Sequence, residues 1–329
     1  MTIRYDVLGV GNAIVDVIAS TNDAFLTEHG IPKGAMNLID EQRATSLYGA
    51  MPAAKEVSGG SAANTLAGIA SLSGRGAYIG KVANDQLGEI FRHDLNAIGV
   101  EYNTSPHLNG PSTARCLIAV TPDGERSMST FLGCSPLLTA DDLDKDRISA
   151  AGIVFLEGYL FDQEEAKAAF VRAAEYARAA SRHTALTLSD LFCVDRHRAS
   201  FRHLVAHHID ILFANESEII ALYEAANFEE AFAAARADCR IVAVTRSEKG
   251  SVLARGEEIV SVPAFPVEKV VDTTGAGDLY AAGVLYGLAT GRELEACGLL
   301  GSLAAAEVIS HYGPRPETNL AALASQHGL

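Results

Sequence analysis

With 329 residues, 48% of them hydrophobic, the chain can bury a large core as one big α/β domain or two moderate ones. A formal net charge of −15 argues against general nucleic-acid binding, which needs a basic surface, although a local pocket can still favour an anion. There is no apolar run of membrane-spanning length and no secretory signal at Met1-Thr2-Ile3, and the five cysteines are scattered without CxxC spacing, so a reducing cytoplasm is expected, with no membrane partner.

In chain order, a first apolar strand, Tyr5 to Val10, runs into Gly11-Asn12 and then Asp16. A carboxylate at a strand exit can accept two hydroxyl hydrogen bonds, as a vicinal diol requires, although a surface-turn acid reads the same way. Residues 13–39 and 112–133 carry β-prone patches without helices between them, and Pro122-Asp123-Gly124 marks a hairpin turn. A small antiparallel sheet projecting from the main body is expected there, with Met36 and Leu38 as apolar pocket walls and Phe131 as a weaker candidate. Ser58-Gly59-Gly60-Ser61-Ala62-Ala63-Asn64 joins paired glycines to a small-residue helix. Ile153 to Leu156 then leads into Glu157-Gly158-Tyr159, where the tyrosine could stack on a base or sugar face or simply pack.

Beyond this point apolar segments alternate with Ala-rich helical ones. Ala185–Leu188, Ile209–Ala214 and Ile241–Val244 end in polar residues, with helices over Glu164–Ser181 and Glu229–Ala237. This rhythm implies a mostly parallel sheet covered on both faces, with ligands bound beyond the carboxyl ends of the strands. Asn215 opens the helix that follows its strand, as a cap or as a ligand organiser. No internal repeat or long linker interrupts the chain, so residues 1–329 are expected to form one domain plus a lid.

The most informative stretch is Asp272-Thr273-Thr274-Gly275-Ala276-Gly277-Asp278, placed after a strand ending near Val262. Small residues let the backbone approach a ligand, and a helix start offers unpaired N–H groups and partial positive charge to an anion. A carboxylate in that position repels a merely bound phosphate. It makes sense as a base that takes a proton from an attacking hydroxyl while the loop stabilises phosphoryl charge. Asp278 is therefore the expected base, and Gly275, Ala276 and Gly277 the expected anion hole of a kinase acting on a small alcohol. There is no GxxxxGK[ST] P-loop, the dinucleotide GxGxxG fails after Gly11, and His203 with His207 lack a third metal ligand.

DTTGAGD resembles the signature of the PfkB, or ribokinase-like, family of carbohydrate and nucleoside kinases, and the Gly-Gly…Asn segment resembles the family's other signature. The resemblance spans nearly the whole chain and implies a three-layer αβα fold with a mostly parallel central sheet and a β lid. It further implies that Asp16, Gly60 and Asn64 hold sugar hydroxyls, with Asn12 and Ser61 nearby and Tyr159 at the same edge. Arg126 matches a lid arginine near the transferring phosphate. Asn215 and Glu218 match an NxxE pattern that organises Mg²⁺ through water, and Thr245, Gly250 and Thr274 match positions around ATP. Whether K⁺ binds near Asp272 and residues 310–313 is left open, as is the choice between monomer and homodimer. The segments GNAIVDVIA and TPDGERSMSTFLG look most like the adenosine kinase branch, which implies transfer to the 5′-hydroxyl of a nucleoside. A PfkB sugar kinase is the alternative, and a binding-only regulator the reading from another class.

Overall fold

A computed structural model describes residues 2–329. The chain opens with β1 (Tyr5–Val10), β2 (Ile14–Ser20), α1 (Asp23–Glu28), β3 (Met36–Leu38), α2 (Glu41–Ala50) and β4 (Lys55–Gly59). It continues through α3 (Ser61–Ser71), β5 (Gly76–Ile79), α4 (Gln86–Ala97) and β6 (Val100–Tyr102) into the hairpin β7 (Ala114–Val120) and β8 (Arg126–Phe131). Next come α5 (Lys145–Ser149), β9 (Ala151–Glu157), α6 (Glu164–Ala179), β10 (His183–Thr187), α7 (Leu191–His208) and β11 (Ile211–Asn215). The last third holds α8 (Glu216–Tyr223), α9 (Phe228–Asp238), β12 (Ile241–Thr245), β13 (Ser251–Arg255), β14 (Glu258–Val262), α10 (Ala276–Ala289), α11 (Leu294–Val308) and α12 (Leu320–Gln326).

The main sheet has the order β14-β13-β12-β11-β10-β9-β1-β5-β6, parallel except for the β12-β13-β14 edge. Its central strands, such as β9 and β11, read largely as apolar runs because both faces are buried. Alternate residues feed two cores: Val7, Ile153 and Phe155 face the side of α3, α10 and α11, while Leu8, Val154 and Leu156 face α6 and α7. From β1 the chain builds outward on one side through β5 and β6, and later on the other through β9 to β12. The direction of winding reverses between β1 and β9, where sheets of this kind leave a crevice at the carboxyl edge.

A second sheet has the order β3-β8-β7-β2-β4. It departs from the expected antiparallel pattern: β2 pairs with β7, and β3 with β8, in parallel. Parallel pairing is open to these strands because they come from stretches far apart in sequence, joined by long crossovers rather than hairpins. β4, outside the two expected stretches, adds an edge against β2. A short helix, α1, also interrupts the first stretch, capped by the Asn22 side chain accepting from Phe25 N. The turn at Pro122-Asp123-Gly124 has Gly124 N donating to Thr121 O at 2.8 Å. On β2, Val15, Val17 and Ala19 are packed inward, which leaves Asp16 on the opposite face of the sheet.

The glycine-rich signature does not follow directly on a strand. β14 is the antiparallel edge strand, and residues 263–275 cross irregularly from it to α10. What holds the loop is tertiary: Val271 N donates to Ile309 O at 2.8 Å, beside the end of α11.

Candidate active site

Two helix N-termini face each other at the carboxyl edge of β1. α10 begins after Gly275, whose φ of +81° is a left-handed conformation, and a Cβ there would lie 2.7 Å from Pro314 Cα. α3 begins after Gly60, where φ is +95° and a Cβ would strike the Asn12 carbonyl. α3 and α10 pack through small residues: a Cβ on Gly68 would stand 2.6 Å from Leu279. This close approach brings Ser61 and Asn64 onto the Asp278 carboxylate. Ser61 Oγ donates to Oδ1 at 2.6 Å and Asn64 Nδ2 to Oδ2 at 3.0 Å. Burial pushes the Asp278 pKa up, opposed by the two hydrogen bonds. Gly277, one residue earlier, is exposed and a Cβ on it would meet no atom within 4 Å. The space in front of the α10 N-terminus is open.

Asp16 reaches this region from β2 and is 8% exposed. Its carboxylate lies against Gly59, where a Cβ would sit 2.5 Å from Oδ2, so a side chain at that position would displace the carboxylate. Burial raises its pKa to about 6, against the attraction of Arg126 and Arg315 and with the repulsion of Asp278.

Behind the pocket, Glu157 at the end of β9 accepts from Asn12 N at 3.3 Å, Asn12 Nδ2 at 3.1 Å and Ala62 N at 2.8 Å. Burial lifts its pKa to about 7 despite these donors. Ser135 Oγ donates to Asn12 Oδ1 at 2.8 Å, so both polar atoms of the Asn12 amide are engaged within the protein. Asn12 thus braces β1 against β9, with one N–H and one oxygen lone pair of its amide left for a ligand. Tyr159, in the turn after β9, is 37% exposed, and its N–H donates to Ser189 Oγ at 3.1 Å. Met36 and Leu38 are half exposed on β3, the edge strand of the small sheet, and Phe131 is buried under Arg115.

Arg126, at the start of β8, is buried and ion-paired with Asp272 at the opening of the glycine loop, while its Nε and Nη2 have no partner. Two other contacts of Asp272 are local, Oδ1 accepting from Thr274 N at 3.0 Å and Thr274 Oγ1 at 2.7 Å, and one is distant in sequence, Oδ2 accepting from Gly313 N at 3.0 Å. Burial raises the Asp272 pKa, but these hydrogen bonds outweigh it and hold the carboxyl below its usual range. The small sheet, the glycine loop and the segment after α11 are therefore joined at one carboxylate.

Further along the same edge, Asn215 caps α8, accepting from Glu218 N at 2.8 Å, while Glu218 Oε2 accepts from Asn215 N at 2.9 Å. Glu218 is buried, and burial lifts its pKa to about 7, with Asp190 adding repulsion. Thr245 ends β12, and Gly250, with φ of +83°, closes the turn to β13. His203 and His207 meet edge to face on the exposed side of α7. Arg315 also meets the pocket, through Asn64, and nothing in the local pattern of Gly313-Pro314-Arg315-Pro316 marks it out.

The chain is similar along its whole length to known kinases. The pattern of the pfkB family carbohydrate kinases matches residues 34–320. A probable sugar kinase from Rhizobium etli shares 52% identity over 100% of this chain and 99% of its own, with a TM-score of 0.91. Adenosine kinase from Sinorhizobium meliloti shares 54% identity over 98% and 99%, with a TM-score of 0.90. Adenosine kinase of Saccharomyces cerevisiae is 29% identical, covering 93% of this chain and 95% of the yeast protein. The fold is the three-layer αβα arrangement of these kinases, and the chain belongs to the PfkB family, as a phosphotransferase with an alcohol group as acceptor.

Proposed function

We propose that this kinase transfers the terminal phosphoryl group of ATP to the 5′-hydroxyl of a nucleoside, with adenosine as the preferred acceptor and AMP as the product. The observation that carries the reading is the meeting of Asp278 with Ser61 and Asn64 between two helix N-termini, beside a buried Asp16. Asp278 is placed to accept the proton of an acceptor hydroxyl as that oxygen attacks phosphorus. Ser61 and Asn64 hold its oxygens and keep it oriented until a substrate displaces one of them. Gly275 and Gly277 present N–H groups to the equatorial phosphoryl oxygens, Ala276 N joins them on turning from Thr273 O, to which it donates at 3.2 Å, and Arg126, released from Asp272, adds a planar cation. Asp16 accepts two hydroxyl protons of the ribose and so fixes the 5′-carbon towards Asp278. Met36, Leu38 and Tyr159 flank the base from the open side. Similarity to adenosine kinases at 54% and 29% identity supports a nucleoside as acceptor, and similarity at 52% to a probable sugar kinase keeps the sugar as the alternative.

Magnesium, bound with ATP, neutralises phosphate charge and keeps much of its water shell. Glu218 suits that ion: it is a buried carboxylate beside a second acid, Asp190. Asn215 and Glu218 would hold the ion through water, and Thr245, Gly250 and Thr274 would line the nucleotide. A monovalent cation belongs, on this reading, between residues 272–274 and 309–313, which the Asp272–Gly313 contact joins. The five cysteines are free and buried, which fits a reducing cytoplasm, and adenosine as acceptor would place the enzyme in purine salvage.

The test is ADP release with Mg²⁺-ATP against adenosine, other nucleosides, ribose and fructose, with Asp278→Asn as the blank. Turnover confined to adenosine and loss of several orders of magnitude in the variant are expected. Turnover only with sugars overturns the acceptor, and an active Asp278→Asn enzyme overturns the base.

A further inference from the structure

Arg315 lies in the segment between α11 and α12, which is pinned on both sides. Gly313 N donates to Asp272 Oδ2, and Glu307 Oε1 accepts from Glu317 N at 3.0 Å and Thr318 N at 2.9 Å. This anchoring carries the Arg315 guanidinium to Asn64, where Nε reaches Oδ1 at 3.5 Å. Its Nη2 is buried and has no hydrogen-bond partner, and among the described residues it forms no ion pair. The strongest attraction on it comes from Asp16, followed by Asp94. Asp94 is already committed, since its Oδ2 accepts from Ser58 N at 2.9 Å. A buried cation with a free donor and a buried carboxylate beyond contact distance are both costly to leave as they stand.

The cost falls when a neutral group able to donate and accept at once sits between them. A hydroxyl does this: it gives its proton to the carboxylate and takes an N–H at its oxygen. We propose that Arg315 is a specificity-determining residue of the acceptor site, its guanidinium donating to a hydroxyl oxygen of the vicinal diol whose protons Asp16 accepts. The proposal rests on the diol-binding reading above and adds a second side to it. Asp16 alone would bind any pair of donors, amines included. The Asp16–Arg315 pair demands a group that is donor and acceptor together, and it penalises a deoxy analogue twice, because both charges then stay unpaired.

The experiment compares kcat/KM for adenosine, 2′-deoxyadenosine and 3′-deoxyadenosine in the wild type, Arg315→Ala and Arg315→Lys. Loss of a hydrogen bond to a charged donor predicts a fall of about tenfold to a hundredfold for adenosine in Arg315→Ala. The analogue lacking the contacted hydroxyl should fall much less, so the ribo-to-deoxy preference collapses. Arg315→Lys, with a compact charge and no planar fork, should keep the fold and still lose most of the preference. An equal loss on all three substrates makes the residue structural and overturns the proposal, as does no loss at all. If the wild type turns over a sugar instead, the nucleoside reading fails, and the same ratio measured with that sugar and its deoxy analogues decides the clamp. Calorimetric binding of the same panel reads the ratio in any variant too slow for kinetics.

Discussion

Replacing Gly275 and Gly277 by alanine, one at a time, separates the architecture of the anion loop from its chemistry. At Gly275 an alanine must adopt φ of +81°, which costs an L-residue about 1–2 kcal/mol. It must also place a methyl 2.7 Å from both Cα and O of Pro314, an overpacking of about 1–3 kcal/mol because backbone atoms yield little. Roughly 3 kcal/mol of destabilisation results. With an unfolding entropy of about 2.1 cal/mol/K per residue over 329 residues, each kcal/mol moves Tm by about 1.5 °C, so a fall of about 4–5 °C is expected. Gly277 behaves in the opposite way. It is the second residue of α10, its added methyl meets nothing, and alanine is a better helix former by up to about 1 kcal/mol. Gly277→Ala should melt at the wild-type temperature or slightly above. Both variants should lose kcat/KM by at least about a hundredfold, the first because the loop is displaced and the second because a methyl fills the phosphoryl space. Differential scanning calorimetry with an ADP-release assay reads both quantities. A fully active Gly277→Ala would mean that phosphoryl transfer occurs elsewhere, and a Gly275→Ala as stable as wild type would refute the backbone argument.

Other outcomes can be checked with the same two assays. Asp16, with its pKa raised to about 6, loses an acceptor when protonated, so KM for the acceptor should climb as pH falls below about 6; a flat KM between pH 5 and 8 removes its diol role. Because the folded pKa is raised, the Asp16 carboxyl contributes stability below its unfolded pKa, and that contribution disappears as pH rises through about 6. Asp16→Asn should therefore gain on the wild type above pH 6, by up to about 3 kcal/mol, and denaturant titrations at pH 4 and pH 8 measure the difference. Arg126→Ala should lower kcat more than it raises KM for ATP, and it also leaves Asp272 without its ion pair; unchanged kinetics would make Arg126 a tie between sheet and loop only.

Local chemistry is written in the chain in short runs, and those runs were legible. Strand positions such as Ile211–Asn215 and Ile241–Thr245 follow from apolar runs ending in polar residues, and the helix starts at Asn215 and Gly275 follow from capping and glycine patterns. Asp278 was recognisable because a carboxylate next to a glycine-rich helix start is electrostatically odd unless it handles a proton. The pairing of the small sheet was not legible. β2 finds β7 about a hundred residues away, in parallel, and nothing in either strand encodes that choice. Likewise, that Glu157 and Ser135 hold the Asn12 amide could not be read from the chain, and β14 reads as the strand leading into the signature until the sheet makes it an edge. Arg315 lies 37 residues after Asp278 and 299 after Asp16 in the sequence, yet packing sets it among them. A sequence by itself determines which groups exist and which backbone shapes they favour, because those are properties of neighbours along the chain. Which buried charges face each other is decided only by the tertiary fold, since burial and distance are properties of the folded whole.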